Sequence, residues 1–439
     1  MQSADFIICG DYVLTMNNDL ETITDGSVAI KGSIIVDVGK TDRLKQKYPD
    51  AHIMSRSNNV LLPGFINTHT HAAMVYFRGL ADDLPLREWL EKHIWPAEAR
   101  WLTPEFVYDS SELSCLEMLK AGITTYNDMY FFGDSTARAT KALGMRAILG
   151  AGIIDFPTVA ASTLDEYLHN AEYFIKNWQG DDHIFPCLAP HGAHTCGPET
   201  LRKAKQLADR LDVKLHTHLS ETLWEVEEIM SKHGKRPVEY LETAGFLDER
   251  LIAAHCIHLD ESEIELLAKR SVSVSHCVES NLKLASGIAR VPEMINSGIN
   301  VSFGTDGAAS NNDQNILSEM STAAKLHKAI THDPTVLDSK TALLMGTRRA
   351  AQALGLDNRI GSLEAGKEAD LISMDLKKPH LSPIYDIYSH IVYSAMASDV
   401  ECVIVGGKPL ISDRRHLYAD EGAILQKAAA WQSRIMAQR

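Results

Sequence analysis

Apolar positions recur with two different periods along the middle of this chain, and the alternation between the two periods is its clearest feature. Short apolar runs of strand length alternate with segments in which apolar residues recur every three to four positions, as in amphipathic helices. Strands separated by helices in this way form parallel sheets. The predicted strands are residues 61–71, 122–128, 146–152, 184–191, 213–218, 251–255, 272–276 and 300–306. The predicted helices include residues 104–120, 198–211, 223–231, 261–269 and 315–328. Eight such units within residues 63–362 predict a (β/α)8 barrel of the TIM type.

The two ends of the chain have a different pattern, in which short β segments are separated by turn residues. Neither residues 1–62 nor residues 363–439 are long enough to enclose a β core alone. We therefore predict an α/β fold in which both ends pack together as a small β-sandwich beside the barrel of residues 63–362. The predicted β segments are residues 6–9, 12–15, 27–31, 33–38, 369–374 and 400–409.

Charge and composition narrow the class of ligand. The 439 residues include 43 basic and 58 acidic side chains, which gives a net charge of −15. This surplus opposes long-range attraction to nucleic acid and to anionic membranes, so we expect a small-molecule substrate. The chain has no apolar run of about 18 residues and its first residues lack the features of a secretory signal, which favours a cytoplasmic location. The seven cysteines are scattered, so neither a disulfide framework nor a thiolate zinc site is expected.

Histidines cluster where the predicted strands end. His69 and His71 are two residues apart on one strand, so their imidazoles point to the same side and can bind one metal ion. A single His-x-His pair is more often a surface or core feature. Here the ends of other strands add further candidates, and in a (β/α)8 barrel the catalytic residues lie at these carboxyl ends. The further candidates are His191, His218, His255, His276 and Asp306.

Several motifs give the chain a family resemblance. Residues 63–71 read P-G-F-I-N-T-H-T-H and residues 216–222 read H-T-H-L-S-E-T. The later motifs are A-H-C at 254–256, S-H-C-V-E-S-N-L-K-L-A-S-G at 275–287, G-T-D-G-A-A-S-N at 304–311 and G-S-L-E-A-G-K-E-A-D-L at 361–371. With these motifs the chain resembles the amidohydrolase superfamily, and within it the 5-methylthioadenosine/S-adenosylhomocysteine deaminase group. The resemblance implies a barrel that carries one divalent metal ion, beside a β-sandwich made from both chain ends.

The resemblance implies a set of metal ligands. Three neutral imidazoles and one carboxylate with an open position for water form a catalytic rather than a structural site. Zinc is the default ion, although this set also accepts Fe(II) and Mn(II). His218 is preferred to His216 because it lies nearer the strand end, while His216 is expected to pack below it or to support a ligand. The expected ligands are His69, His71, His218 and Asp306.

The same resemblance implies roles in catalysis. Metal-activated water would attack C6 of a purine, with Asp306 accepting a hydrogen bond from the water and His255 holding it in line. Glu221 would carry protons to the ring and to the leaving amine, although a carboxylate at a helix start is also favourable on its own. Both Glu221 and Asp306 are therefore expected to contact the substrate. For His276 two roles stay open, as a partner of a metal ligand or as a support for the loop of Asn281.

Substrate recognition is also implied by the resemblance. Glu98 matches a residue that binds the ribose hydroxyls, and a carboxylate can accept from both hydroxyls of a cis-diol. His191 matches a residue that contacts the purine. Trp89 and Trp95 are candidates for stacking on the purine, although buried anchors of the loop are the commoner role for such residues.

Two features that the sequence lacks limit the type of reaction that we expect. The fourth predicted strand ends in Ala189-Pro190-His191, without the lysine that would hold a second metal ion, so we expect one ion and chemistry on an aromatic ring. The His-x-Glu and Pro-Cys-x-x-Cys signature of the nucleobase deaminases is missing as well. Any deamination must therefore use the barrel site.

The leading hypothesis is hydrolytic deamination of adenosine-type nucleosides to an inosine-type product and ammonia. Candidate substrates are 5′-methylthioadenosine, adenosine and S-adenosylhomocysteine. One alternative is an aminohydrolase or chlorohydrolase of a triazine, guanine or pyrimidine ring, which would not need Glu98. Another is a non-catalytic barrel, which would have lost its metal ligands. By analogy with the family we expect a homo-oligomer, a dimer or tetramer.

One departure from the family pattern bears on the substrate. Members that accept S-adenosylhomocysteine carry an arginine just after the segment that matches residues 144–147, where it can pair with the amino-acid carboxylate. Here residues 148–152 are small or apolar and uncharged, and Arg146 is expected to pack against the outer helices. We therefore predict a preference for methylthioadenosine and adenosine over S-adenosylhomocysteine.

Overall fold

The computed structural model describes residues 3–438. The chain begins with a β unit in which β1, β2 and β3 form an antiparallel meander, and α1 follows. The predicted β segments 6–9 and 12–15 are one strand, because Gly10 pairs with Gly26 and β1 continues through it. The elements are β1 (Phe6–Leu14), β2 (Thr22–Lys31), β3 (Ile34–Lys40), α1 (Thr41–Lys47), β4 (His52–Ser55) and β5 (Asn59–Pro63).

Eight parallel strands follow, and they lie side by side in chain order. They are β6 (Phe65–Thr70), β7 (Ile123–Tyr130), β8 (Arg146–Ile153), β9 (Ile184–Pro190), β10 (Leu215–Leu219), β11 (Leu251–His255), β12 (Ser273–His276) and β13 (Asn300–Phe303). The helices in this part are α2 (Leu86–Trp89), α3 (Trp95–Trp101), α4 (Pro104–Lys120), α5 (Gly133–Leu143), α6 (Leu164–Trp178), α7 (Pro198–Leu211), α8 (Leu223–His233), α9 (Pro237–Thr243), α10 (Glu261–Lys269), α11 (Val278–Lys283), α12 (Val291–Asn296), α13 (Ile316–Thr331), α14 (Ser339–Met345) and α15 (Arg348–Leu354).

The first and last barrel strands approach each other closely. The Asp306 amide donates to the carbonyl of His69 at 3.0 Å, and the Thr68 hydroxyl donates to the carbonyl of Phe303 at 2.9 Å. Gly304 permits this approach, because a β-carbon there would lie 2.5 Å from Ser275 Oγ and 2.7 Å from His69 Cβ. The sheet is thus nearly closed into a barrel, and the predicted (β/α)8 fold is confirmed.

The C-terminal part returns to the first sheet. Its strand β14 pairs antiparallel with β5, so strands from both ends form one nine-stranded mixed sheet. The sheet folds over on itself, since the amide of Ala369 donates to the carbonyl of Ser33 at 2.8 Å. The predicted β layer made from both chain ends beside the barrel is therefore confirmed, as a separate mixed sheet. The elements are β14 (Leu371–Asp375), α16 (Ile387–Tyr393), β15 (Val400–Val405), β16 (Lys408–Ser412), β17 (Arg415–His416) and α17 (Glu421–Met436).

The predicted strand at residues 61–71 is in fact two strands in two sheets. Strand β5 belongs to the mixed sheet and β6 to the barrel, with the break at Gly64. The Gly64 amide donates to the carbonyl of Asp370 at 3.1 Å, while the next amide donates to Gly122 in the barrel. A β-carbon at Gly64 would lie 2.2 Å from the Thr124 side chain, so the crossing between sheets requires glycine.

Arg146 joins the barrel to the mixed sheet. Its side chain is buried, and its guanidinium donates to the carboxylates of Glu368 and Asp370 and to the carbonyl of Asp182. The expectation that it packs against the outer helices is therefore wrong, because these two carboxylates hold it at the sheet interface. Within residues 3–438, every helix is too short or too polar to traverse a lipid bilayer.

Candidate metal centre and active-site pocket

Four side chains converge at the carboxyl ends of three barrel strands. Two lie at the end of β6, one lies near the end of β10, and Asp306 follows the end of β13 by three residues. The ring nitrogens of His69, His71 and His218 lie within 4.8 Å of one another. Asp306 Oδ1 lies 3.3 Å from His69 Nε2 and 3.2 Å from His71 Nε2. His218 Nε2 lies 3.3 Å from His71 Nε2, so four ligand atoms surround one point.

The other nitrogen of each ring is held by a neighbour. His71 Nδ1 donates to the carbonyl of Met129 at 2.7 Å, and His218 Nδ1 donates to the carbonyl of His191 at 2.6 Å. His69 Nδ1 lies 2.9 Å from Nε2 of His216. For His71 and His218 the carbonyl acceptors place the proton on Nδ1, which leaves the Nε2 lone pair directed at the shared point.

This arrangement fits a divalent metal ion. His69 Nε2 is buried and has no hydrogen bond of good geometry among residues 3–438. The hydroxyls of Ser280 and Ser310 both donate to Asp306 Oδ2, at 2.6 and 2.7 Å, so that Oδ1 is the oxygen that faces the imidazoles. A set of three imidazole nitrogens and one carboxylate oxygen suits a catalytic zinc or similar ion. Sequence reasoning missed both serines, although they lie within the quoted motifs.

The electrostatics of the cluster favour metal binding. Burial lowers the pKa of His69 to about 4, so this imidazole is neutral. Burial also disfavours the charged form of His71, but the hydrogen bond and charge of Asp306 outweigh it and raise the pKa of His71 to about 9. Burial would raise the pKa of Asp306, yet the two histidines hold it well below its usual range. A metal ion that binds here therefore displaces a proton from the cluster.

Glu221 and His255 lie beside these four residues. Glu221 Oε2 is 3.8 Å from His255 Nε2, and His255 Nδ1 is 2.9 Å from Asn281 Oδ1, which fixes the ring. Burial raises the pKa of Glu221, an effect opposed by the nearby His255. A carboxylic acid whose pKa is shifted toward neutrality is suited to both accept and donate protons.

Strained backbone conformations occur at and beside the four convergent residues. Four non-glycine residues here have positive φ angles between 50° and 70°, in the left-handed region. Such conformations cost about 1–3 kcal/mol each and persist where the surroundings enforce them, often at active sites. Sequence patterns gave no sign of them. They are Ser220 (51°), His255 (70°), Cys256 (50°) and Asp306 (59°).

His276 lies one layer away from the four convergent residues. Its Nε2 is 3.3 Å from Nε2 of His327, a residue that sequence reasoning missed, while Asn281 contacts His255 instead. Cys277 Sγ lies within 4.8 Å of ligand atoms of His69 and His255. Burial raises the pKa of this thiol well above its ordinary value, which opposes the thiolate form that binds metals. All seven cysteines are buried, and none of them forms a disulfide bond.

A pocket opens onto His71, His218 and Asp306, three of the four convergent residues. Glu221, Glu98 and His191 line it together with the predicted Trp89 and Trp95, and further apolar side chains complete the wall. None of the described residues that line it is lysine or arginine. The further apolar side chains include Met74, Leu86, Leu90, Ile94, Phe131, Ile153, Phe156 and Leu284.

The two predicted substrate contacts have defined environments. The Tyr130 hydroxyl donates to Glu98 Oε1 at 2.7 Å, a partner that sequence reasoning missed. Burial raises the pKa of Glu98 to about 7, against the lowering effect of this hydrogen bond. His191 Nδ1 lies 3.0 Å from Thr195 Oγ1, and burial holds the pKa of His191 well below its ordinary value. His191 is therefore a neutral imidazole at the pocket wall.

Known proteins resemble this chain over nearly its whole length. One relative, a 5-methylthioadenosine/S-adenosylhomocysteine deaminase of Thermodesulfovibrio yellowstonii, is 53% identical over 98% of both chains. A 5′-deoxyadenosine deaminase of Methanosarcina barkeri is 46% identical over 97% of both chains. The crystal structure of an adenosine deaminase from Xanthomonas campestris with bound zinc superimposes with a TM-score of 0.98, at 41% identity and covering 99% of both chains.

The amidohydrolase family model matches residues 60–410, which include the whole barrel and part of the mixed sheet. This match and the 53% identical relative agree with the fold and with the motifs at the strand ends. The chain therefore belongs to the amidohydrolase family.

Proposed function

We propose that this protein is a metal-dependent hydrolase that deaminates adenosine-type nucleosides, with 5′-methylthioadenosine and adenosine as its main substrates. The observation that carries the proposal is the convergence of three imidazole nitrogens and one carboxylate oxygen beside Glu221 at a largely apolar pocket. The names of relatives at 53% and 46% identity, both deaminases of adenosine derivatives, support it.

One divalent ion would be held by His69, His71, His218 and Asp306. Zinc is the first choice, because the similar adenosine deaminase from Xanthomonas campestris has zinc bound. When bound, the ion supplies Lewis-acid activation and can lower the pKa of water from about 15.7 to about 7. The buried Nε2 of His69 and the Oδ1 of Asp306, which faces the imidazoles, support this ligand set.

Glu221 is proposed to move the protons of the reaction. Its carboxylate accepts one proton from the attacking water and delivers it to the neighbouring ring nitrogen of the purine. A second proton from the same water passes to the amine at C6, which leaves as ammonia while the C6–N bond breaks and the C6–O bond remains. His255, at 3.8 Å from Glu221 and fixed by Asn281, holds the attacking oxygen in line, and Asp306 accepts a hydrogen bond from it.

Glu98 and His191 are proposed to orient the nucleoside. Glu98 lies on a helix that covers the pocket, where Tyr130 donates to its Oε1 and no residue from 3 to 438 donates to its Oε2, so Oε2 can accept ribose hydroxyls. The neutral His191 can hydrogen-bond the purine without introducing charge. The apolar lining that includes Trp89 and Trp95 would exclude water from the purine ring, which strengthens the polar contacts at the edge of the ring.

The test is ammonia release by metal-replete protein. Adenosine, methylthioadenosine, guanine and an ammeline-like triazine are compared at equal concentration. We expect kcat/KM for the two nucleosides to exceed that for the free base and the triazine by at least about tenfold. Faster turnover of guanine or of the triazine would replace the proposal by the alternative aminohydrolase function.

A further inference from the structure

The loop that carries Glu221 is clamped by a second glutamate. Glu225 lies in the first turn of α8 and is 2% exposed. Its Oε1 accepts the backbone N–H of Ser220 at 3.1 Å, and its Oε2 accepts the backbone N–H of Glu221 at 2.7 Å. Both oxygens of this buried carboxylate therefore accept hydrogen bonds from backbone amides. The two amides belong to Ser220 and to Glu221, the proposed proton carrier.

The opposite side of Ser220 is held as well. Its carbonyl accepts the amides of Ile257 at 3.1 Å and His258 at 3.0 Å. Ser220 has φ of 51°, a strained conformation that persists only where the surroundings enforce it. Glu225 on one side and the 257–258 loop on the other provide that enforcement.

Helix capping alone accounts for only part of this arrangement. Thr222 caps α8 by accepting the amide of Glu225, and in an ordinary capping box the glutamate reaches back to the amide of the cap residue. Glu225 reaches past Thr222 to the two residues before it. A related case occurs at α6, where Thr163 is the cap and the exposed Glu166 accepts the amide of Ser162 at 2.7 Å. That glutamate takes one amide, and it lines no part of the cavity.

The charge of Glu225 has a partner. His194 Nδ1 lies 3.9 Å from Glu225 Oε1, and His194 also lines the active-site cavity. Burial disfavours the charged form of Glu225, but His194 and the two amides outweigh burial and hold the pKa of this carboxyl below its ordinary value. Glu225 thus acts as an anionic acceptor, which a neutral amide cannot replace at both oxygens.

We propose that Glu225 is a positioning residue for the reaction, which fixes the backbone of Glu221 so that its carboxyl stays aligned with the substrate. The inference rests on the proposed role of Glu221 as proton carrier. Replacing Glu225 by glutamine turns an NH2 group toward one of the two amides, which frees the loop and lets the strained residue relax. Because small misplacements of a reacting group can cost about 10²-fold in rate, we expect kcat to fall by about 10–100-fold.

The experiment compares Glu225→Gln with the matched control Glu166→Gln in the metal-loaded protein. For Glu225→Gln we expect the loss in kcat with KM within about threefold of wild type and unchanged metal content, while the control keeps its kcat. In a Glu221→Gln background, adding Glu225→Gln should lower kcat little further, because Glu225 acts through the Glu221 carboxyl that is already missing. A kcat for Glu225→Gln within about threefold of wild type, or an equal loss in both backgrounds, would overturn the proposal.

Amide hydrogen exchange provides a readout independent of turnover. The amides of Ser220 and Glu221 should lose protection in Glu225→Gln and keep it in Glu166→Gln, and unchanged protection would contradict the clamp. Glu225→Asp keeps the charge but shortens the side chain, so it should show the same two effects if the glutamine variant does not fold. Wild-type protein without deaminase activity would count against the proposed function. The hydrogen-exchange result is separate, because it tests whether Glu225 holds the backbone of Ser220 and Glu221 whatever the reaction is.

Discussion

Two buried carboxylates beside the same imidazoles have different surroundings, and these surroundings suit them to different tasks. Asp306 directs Oδ1 at His69 and His71 while two serine hydroxyls bind its Oδ2, so it is held as an anion. Glu221 has no such donors on its carboxyl among the described residues, and burial raises its pKa. The first arrangement suits a metal ligand and the second suits a proton carrier.

Substitution separates these two roles. We expect His71→Ala or Asp306→Ala to abolish turnover and to lower metal content, because each change removes one ligand. Glu221→Gln should keep its metal and lose about 10²–10⁴-fold in rate, since only proton transfer is removed. Elemental analysis after dialysis and an ammonia assay measure the two effects. Turnover of Glu221→Gln within about tenfold of wild type would exclude its role as proton carrier.

Glu98→Ala tests recognition of the ribose. Losing a hydrogen bond to a charged group costs about 1.5–3 kcal/mol, so kcat/KM for nucleosides should fall by about 10–100-fold while that for a free base changes little. Glu91→Ala is the matched control, because this exposed glutamate pairs with Arg87 on the same covering segment and does not line the active-site pocket. If Glu98→Ala left nucleoside turnover unchanged, the alternative function, hydrolysis of a free base or a triazine, would replace the proposed deamination of nucleosides.

The lining of the cavity also bears on substrate choice. It contains no lysine or arginine among the described residues, and Arg146 is engaged by Glu368 and Asp370. A carboxylate that enters without a partner loses hydration, which costs several kcal/mol when the charge is buried. We expect higher kcat/KM for methylthioadenosine and adenosine than for S-adenosylhomocysteine. Steady-state kinetics with the three nucleosides measure this, and equal turnover of S-adenosylhomocysteine would contradict it.

At the scale of elements, the segment between β6 and α4 covers the pocket. It contains α2, a π-helical turn at Leu90–Ile94 and α3, and the last of these carries Glu98. Trp89 anchors it by donating to the carbonyl of Ala81 at 3.0 Å, and Tyr130 joins it to β7. The proposed ribose contact Glu98 thus lies on a covering segment, whereas the proposed metal ligands lie at or just after the ends of barrel strands.

Arg146 on β8 gives a prediction at this scale. Removing one member of a buried ion pair leaves uncompensated charge, so Arg146→Ala should lower the free energy of unfolding by about 3–5 kcal/mol. Arg270→Ala is the control, because Arg270 pairs with Glu242 at the surface and such pairs contribute about 0–1 kcal/mol. Urea denaturation measures both changes. A loss for Arg146→Ala no larger than that of the control would show that this contact does not join the two sheets.

At the scale of the whole molecule, the proposed metal ion would connect three strands that are far apart in sequence. Its ligands come from β6 and β10 and from the loop after β13. An ion that binds only the folded state stabilises it by about 4 kcal/mol at about 1,000 times its dissociation constant.

We therefore expect a strong chelator to lower the unfolding temperature, as measured by calorimetry, and added zinc to restore it. His71→Ala should respond much less to the chelator. An equal response of the two proteins would place the stabilising ion elsewhere.

The predicted homo-oligomer and the predicted domain boundaries after residues 62 and 362 stay predictions.

The sequence by itself determined the barrel, the second sheet from both ends and the positions of the candidate ligands. These features follow from local periodicity and from spacing, because a strand directs alternate residues to one side and a β/α unit places each strand end on the same face. The strand ends by themselves offered seven candidates, and the resemblance to the amidohydrolase superfamily reduced them to His69, His71, His218 and Asp306.

Only the tertiary structure decided the contacts between residues distant along the chain. It joined Tyr130 to Glu98, placed Ser280 and Ser310 on Asp306, and divided the strand at Gly64 between two sheets. No local pattern encodes such contacts, because each depends on how separate elements pack against one another. The orientation and protonation of the site residues are decided by those contacts, and so they appear only when the chain is folded.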